Sequence, residues 1–175
     1  MSADYPGSVL LTGATGFIGS ALLAEFVRRG QRVVAVSRRA TQPQATDLVE
    51  WRSCDLLEPS TLDAAFAGIR IAYYLVHSMG TGASDFGELE QRAAHAFAQA
   101  AARAQVKRIV YLGGPAPLGP PSEHLRSRLA VGEILRAGPV PAVELRASMV
   151  IGPGSASWQI VRDLAVRLPV MVLPR

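Results

Sequence analysis

A chain of 175 residues, 49% hydrophobic and 18% charged, has the length and apolar content of one domain with a buried core, which excludes a disordered tail or an array of small repeats. A net charge of +4 raises nucleic acid as a partner, but the cations are dispersed as Arg28-Arg29, Arg38-Arg39, Lys107-Arg108 and Arg126/Arg128, so no basic face and no such partner are expected. Cys54 is the only cysteine and every long apolar stretch is broken by charge, so disulfides, Cys/His zinc sites and membrane spans are excluded and a soluble, cytoplasmic protein is expected.

Residues 8–12 form a short apolar run that ends in a glycine turn, and residues 17–29 then carry apolar side chains at helical spacing through Phe17, Ala21, Leu22 and Phe26. Further apolar runs at 33–36, 49–54, 69–76, 108–112, 142–145 and 170–173 bring the count to seven candidate strands. Helical stretches fall at 59–66, 85–104, 123–137 and 157–168; Pro59 opens the first, and Ser122 stands as N-cap before the third. The link over 38–48 reads as loop. Strands that alternate with helices and are apolar throughout are buried on both faces, which predicts an α/β domain with a doubly wound parallel sheet, the Rossmann fold.

In Thr12-Gly13-Ala14-Thr15-Gly16-Phe17-Ile18-Gly19 each glycine answers a steric need: Gly13 the tight turn, Gly16 the close approach of backbone to a pyrophosphate, Gly19 the packing of helix on sheet. Free N–H groups at the helix start then meet the phosphate charge. Thr12, Gly13, Thr15, Gly16, Phe17, Ile18 and Gly19 are therefore the expected contacts of a dinucleotide. After the second strand, where an acidic residue would bind the ribose of NAD(H), stand Ser37, Arg38 and Arg39; an arginine fork suits a 2′-phosphate, so NADP(H) is favoured. Asp55 and Leu56 close the third strand and either meet the adenine or form an Asx-turn. Val76 and Gly113, at the ends of the fourth and fifth strands, complete the expected cofactor contacts.

The glycine turn, Asp55-Leu56, the run Arg108-Ile109-Val110-Tyr111-Leu112-Gly113-Gly114 and the run Leu145-Arg146-Ala147-Ser148-Met149-Val150-Ile151-Gly152 together resemble the short-chain dehydrogenase/reductase superfamily, in its extended and atypical members with epimerase-like or NmrA-like NAD(P)-binding domains. Tyr74-Leu75-Val76-His77-Ser78-Met79 and His124-Leu125-Arg126-Ser127-Arg128 resemble an atypical bacterial subgroup described as NAD(P)-binding oxidoreductases. Such proteins continue past the segment that resembles Leu168-Pro169-Val170-Met171, so the resemblance implies that the substrate-binding part is missing from these 175 residues. It also implies a four-helix dimer interface from the helices at 85–104 and 123–137, with close approach at Ala93, Ala96, Ala100 and Ala104.

The resemblance implies a serine, a tyrosine and a lysine as the catalytic set, and none is plainly present. His124 and Arg128 keep the four-residue spacing of the missing pair on one helical face. Arg128 can hold a ribose but cannot exchange protons, whereas His124 can; the plain alternative for His124 is a first-turn surface residue. Gly113-Gly114 stands where the serine is expected. His77, beside Ser78 at the end of the fourth strand, is a second candidate for proton transfer or substrate contact, while His95 and the strand tyrosines Tyr73, Tyr74 and Tyr111 read as structural. Residues 152–155 form either a loop over the nicotinamide or a turn into the last helix. Two functions follow from these readings: an atypical NADP(H)-dependent oxidoreductase acting on a small molecule, or a non-catalytic NAD(P)-binding module for redox sensing or assembly.

Overall fold

The structure, a computed structural model, describes residues 7–38, 46–77, 86–117, 119–152 and 154–168. Six strands, β1 (Ser8–Leu11), β2 (Val33–Ser37), β3 (Val49–Ser53), β4 (Ile69–Tyr74), β5 (Arg108–Gly113) and β6 (Ala142–Arg146), form one sheet in the order β3-β2-β1-β4-β5-β6. Every neighbouring pair is parallel. The seventh strand expected at 170–173 lies outside the described residues.

The helices are α1 (Phe17–Arg28), α2 (Leu62–Phe66), α3 (Phe86–Arg103), α4 (Glu123–Ala137) and α5 (Ala156–Arg167). The stretch read as one helix over 59–66 divides into a 3-10 turn, Pro59–Thr61, and the short α2. On one face of the sheet α2, α3 and α4 bury Leu10, Val34, Ala72, Tyr74, Ile109 and Tyr111 together with Phe66, Phe97 and Leu135. On the other, α1 lays Leu22, Leu23 and Phe26 against Leu11, Val33, Ala35 and Val49. The alanine face of α3 serves this packing: Ala100 is inaccessible and Ala93 is buried, while Ala96 and Ala104 rest partly buried on the same core.

Because β1 lies between β2 and β4, successive connections run outward in opposite directions from it. A crevice therefore opens at the carboxyl end of β1, where the chain to α1 and the chain after β4 part company. No helix among the described residues is long and apolar enough to cross a membrane.

Candidate functional site

The glycine turn sits at that crevice. Gly13 has φ +68°, in the left-handed region, and a side chain there would press on the Leu75 carbonyl. A Cβ on Gly19 would land on the carbonyl oxygen of Gly13, so only glycine lets α1 start this close to β1. The turn closes through Gly16 N–H to the Gly13 carbonyl at 2.9 Å. Gly16 is the N-cap of α1, yet no side chain caps the helix and its first turn carries no acid. By contrast, α4 and α5 are capped by Ser122 and Ser155. Thr15 and Gly16 are exposed at the tip and Phe17 and Ile18 are half-buried, so the first N–H groups of α1 open onto the crevice as donors for an anion. The Thr12 hydroxyl is taken up by the fold: it donates to the Tyr73 carbonyl at 3.0 Å and accepts from Leu75 N–H at 2.9 Å, tying the turn to β4.

Ser37 ends β2 and Arg38 follows it, exposed; Arg39 lies outside the described residues, as does Ser78. Asp55 forms the Asx-turn, its Oδ1 accepting from Leu57 N–H at 3.0 Å. Leu56 and Val76 are partly buried against the α2–α4 core. Of residues 152–155, Pro153 lies outside the described residues; Ser155 caps α5, its Oγ accepting from Trp158 N–H and donating to the Val150 carbonyl, and Gly152 lies against the Phe17 ring.

Beyond β4 and β5 the structure gathers His77, His124 and Arg128. Burial, then the charges of Arg128 and His124, hold the His77 imidazole down at about 4, against a hydrogen bond to the Leu112 backbone that pulls it upward. His77 is therefore neutral near pH 7 and is not a proton donor there. Arg128 Nη2 donates to the same Leu112 carbonyl at 3.1 Å. The Tyr111 hydroxyl donates to the Arg128 carbonyl at 2.9 Å, and the Tyr111 ring meets that of His77 edge to face at 6.2 Å. Burial pushes the Tyr111 hydroxyl up to about 12 and the Tyr74 hydroxyl higher still, so neither tyrosine titrates near neutrality. His124, in the first turn of α4, is exposed.

Two groups at this site escaped the sequence reading. Ser127 Oγ donates to Glu90 Oε2 at 2.5 Å, and both residues are buried, so α3 and α4 are pinned together one residue from Arg128. The readable signal was Glu90 on the otherwise apolar stripe of Ala94, Phe97 and Ala101. The second group is Glu144 on β6, whose buried carboxylate pairs with Arg136 and, at 3.2 Å, with Arg146. Side chains at Gly113 or Gly132 would collide with that carboxylate, and one at Gly114 would sit 2.5 Å from Leu125 Cδ1. The glycine doublet at the expected place of the serine thus makes room for neighbours from β6 and α4.

The model of the NAD dependent epimerase/dehydratase family matches residues 9–164. The chain is 31% identical to a ceramide reductase of Caulobacter vibrioides over 175 residues, covering 98% of this chain and 55% of that protein. It is 32% identical over 111 residues to the auxiliary protein GraX of Staphylococcus aureus, covering 61% of this chain and 36% of GraX. Among solved structures, the Bordetella bronchiseptica enzyme WbmG in complex with NAD superposes with a TM-score of 0.74 at 20% identity, over 86% of this chain and 56% of that one. The chain thus spans about half the length of the ceramide reductase, or less in the case of GraX. With the family match running from β1 into α5, over a glycine turn at the sheet's switch point, the chain belongs to the NAD-dependent epimerase/dehydratase family of the short-chain dehydrogenase/reductase superfamily.

Proposed function

We propose that these residues form the NADP(H)-binding part of a carbonyl reductase. The observation that carries this reading is the uncapped amino end of α1, held by Gly13 and Gly19 at the crevice beside β1, which offers N–H donors and a positive dipole end to a pyrophosphate. Arg38, just beyond β2, supplies the charge that suits a 2′-phosphate. A bound dihydronicotinamide supplies the hydride in such a site. Arg128 holds ligand oxygen by charge and hydrogen bonds and keeps its own proton. Since His77 is neutral, the histidine that passes a proton between solvent and the reacting oxygen is His124, at the exposed end of the cluster.

The likeness to a ceramide reductase across nearly the whole chain supports reductase chemistry, and the share of that protein left uncovered agrees with substrate recognition lying largely outside these residues. A cytoplasmic setting, where NADPH is maintained, fits this reading. The likeness to an auxiliary protein favours a second reading, a cofactor-bound module that assists a partner without turnover. Calorimetry with NADPH, followed by NADPH oxidation with a panel of carbonyl and quinone acceptors in the longest natural form of the protein, separates the two. Turnover that falls by roughly 10²–10⁴-fold in His124→Ala, with NADPH affinity kept, is the expected result. Binding without turnover on any acceptor overturns the reductase in favour of the auxiliary module.

A further inference from the structure

The seam between α3 and α4 is apolar along most of its length. From α3 come Ala94, Phe97, Ala98 and Ala101, all buried, and from α4 come Val131 and Leu135. Glu90 and Ser127 continue these two stripes by one turn toward the helix starts, four residues before Ala94 and Val131 respectively. Both are 5% exposed, and the Ser127 hydroxyl donates to Glu90 Oε2. A buried polar pair of this kind contributes little net stability, since apolar side chains of similar size in its place are commonly neutral or stabilising. What it adds is direction. Contacts among alanine, valine and leucine leave α4 free to turn or slide against α3, whereas a hydrogen bond accepts one register.

The register matters because of what shares that turn. Arg128 follows Ser127, and His124 lies three residues before it, so the three stand together in the first turns of α4. We propose that Glu90 is a positioning residue for Arg128: by taking the Ser127 hydroxyl it fixes the start of α4 so that the guanidinium meets the end of β5, toward the dinucleotide crevice. The proposal rests on the reading above that Arg128 faces the bound cofactor. From the sheet side, β5 holds the same turn. The Tyr111 hydroxyl donates to the Arg128 carbonyl at 2.9 Å, and the Leu112 carbonyl accepts from Arg128 Nη2 at 3.1 Å. Gly114 leaves the side chain room, since Arg128 Cδ and Nε stand 3.7 Å from where a Cβ there would be. A shift of α4 by about 1 Å would stretch both bonds past hydrogen-bond length, so each depends on the register that Glu90 sets. Arg128 is half-buried and its Nε is inaccessible, so only part of the guanidinium is open to a ligand oxygen and the helix decides where that part points. Glu90 acts through Ser127 and moves no proton.

The test separates register from stability. Glu90→Leu combined with Ser127→Ala replaces the pair by apolar side chains, so this double variant is expected to melt at or above the temperature of the unmodified protein. Its affinity for NADPH in calorimetric titrations is nonetheless expected to fall about tenfold. Arg128→Met should weaken binding by as much and add nothing in the double-variant background, because both changes remove one contact. Glu90→Gln, which keeps an oxygen acceptor for Ser127, should recover most of the affinity. In ¹⁵N-resolved NMR spectra of the protein without cofactor, the buried Arg128 Nε–H should exchange slowly with solvent, and roughly tenfold faster in the double variant. Full NADPH affinity in the double variant beside a loss in Arg128→Met overturns the positioning role while leaving Arg128 at the cofactor. A loss of affinity that only follows a lowered melting temperature assigns the pair to the fold alone and overturns it equally. If Arg128→Met does not change affinity, the cofactor reading of Arg128 fails instead, and the resonance decides the positioning: faster exchange in the double variant supports it and unchanged exchange overturns it. Should the double variant not fold, titration and resonance are read in Ser127→Ala, which loses a single hydroxyl, well below its melting temperature; unchanged affinity and exchange there overturn the proposal.

Discussion

Arg38 stands exposed immediately after β2, on the side of the crevice opposite the His77 and Arg128 cluster. Its role can be separated from that of the glycine turn because NADH and NADPH share the pyrophosphate and differ at one ribose oxygen. If the guanidinium meets the 2′-phosphate, Arg38→Ala should weaken NADPH by roughly 1.5–3 kcal/mol and leave NADH nearly unchanged, the loss of a charged hydrogen-bonded contact. Calorimetric titration of both cofactors checks this, and equal losses would remove Arg38 from the phosphate. Residues whose duty is local were readable in this way from sequence. Gly13 and Gly19 announced themselves by spacing, and Ser122 is the N-cap that its place before α4 suggested, accepting from Leu125 N–H at 3.3 Å. Asp55 makes the Asx-turn that its spacing allowed, with Oδ1 accepting from Leu57 N–H.

At the scale of the element, two helix ends are closed by contacts that periodicity does not reveal. The five-residue α2 is too short to persist alone. Arg52, on β3, donates through Nη1 to the carbonyls of Ala64, Ala65 and Ala67 at 3.1, 3.0 and 2.8 Å, closing the end of α2 while Glu50 holds the other side of the guanidinium. The longer α3 ends in a Schellman turn, with Val106 N–H on the Ala101 carbonyl and Gln105 N–H on the Ala102 carbonyl. Gln105 holds φ +57°, and it is the non-glycine residue at positive φ among the described residues. Glycine there would relieve a left-handed strain of about 1–2 kcal/mol and add back about 0.5–1 kcal/mol of chain entropy to the unfolded state. Gln105→Gly should therefore stabilise the protein by about 0.5–1 kcal/mol, read as a higher urea midpoint at unchanged slope. A lower midpoint would show that the Gln105 side chain contributes more than its backbone conformation costs.

For the whole molecule, the sequence was legible where apolar runs and glycine turns are local, and the sheet and its switch point follow from them. It was not legible where the fold brings distant segments together: His77 meets Arg128 only because β4 and β5 are neighbours and α4 returns over β5, and Glu144 reaches Gly113 and Gly132 only through the β5–β6 register. The same topology leaves the two faces of the sheet unequal. Three helices cover the face that holds Tyr74 and Tyr111, whereas α1 covers the β1–β3 half of the other. Over β4, β5 and β6 that second face forms an open groove of about 530 Å³, floored by Tyr73, Leu75, Val110, Leu112 and Leu145 and walled by Phe17, Ile18 and Leu22. Leu145 is 54% exposed and Val143 41%, on β6, the edge strand among the described residues. A contiguous apolar surface of this kind binds apolar probes and promotes self-association. The 175-residue chain should accordingly enhance the fluorescence of an anilinonaphthalene dye while natively folded, and sediment with a concentration-dependent coefficient. Leu145→Lys places a charge at the centre of the patch without emptying a packed site, so it should suppress both signals and shift stability by no more than about 0.5 kcal/mol. Dye binding and sedimentation unaltered by Leu145→Lys would show that this groove is not the surface responsible; a loss of several kcal/mol would show that Leu145 is buried against something in solution.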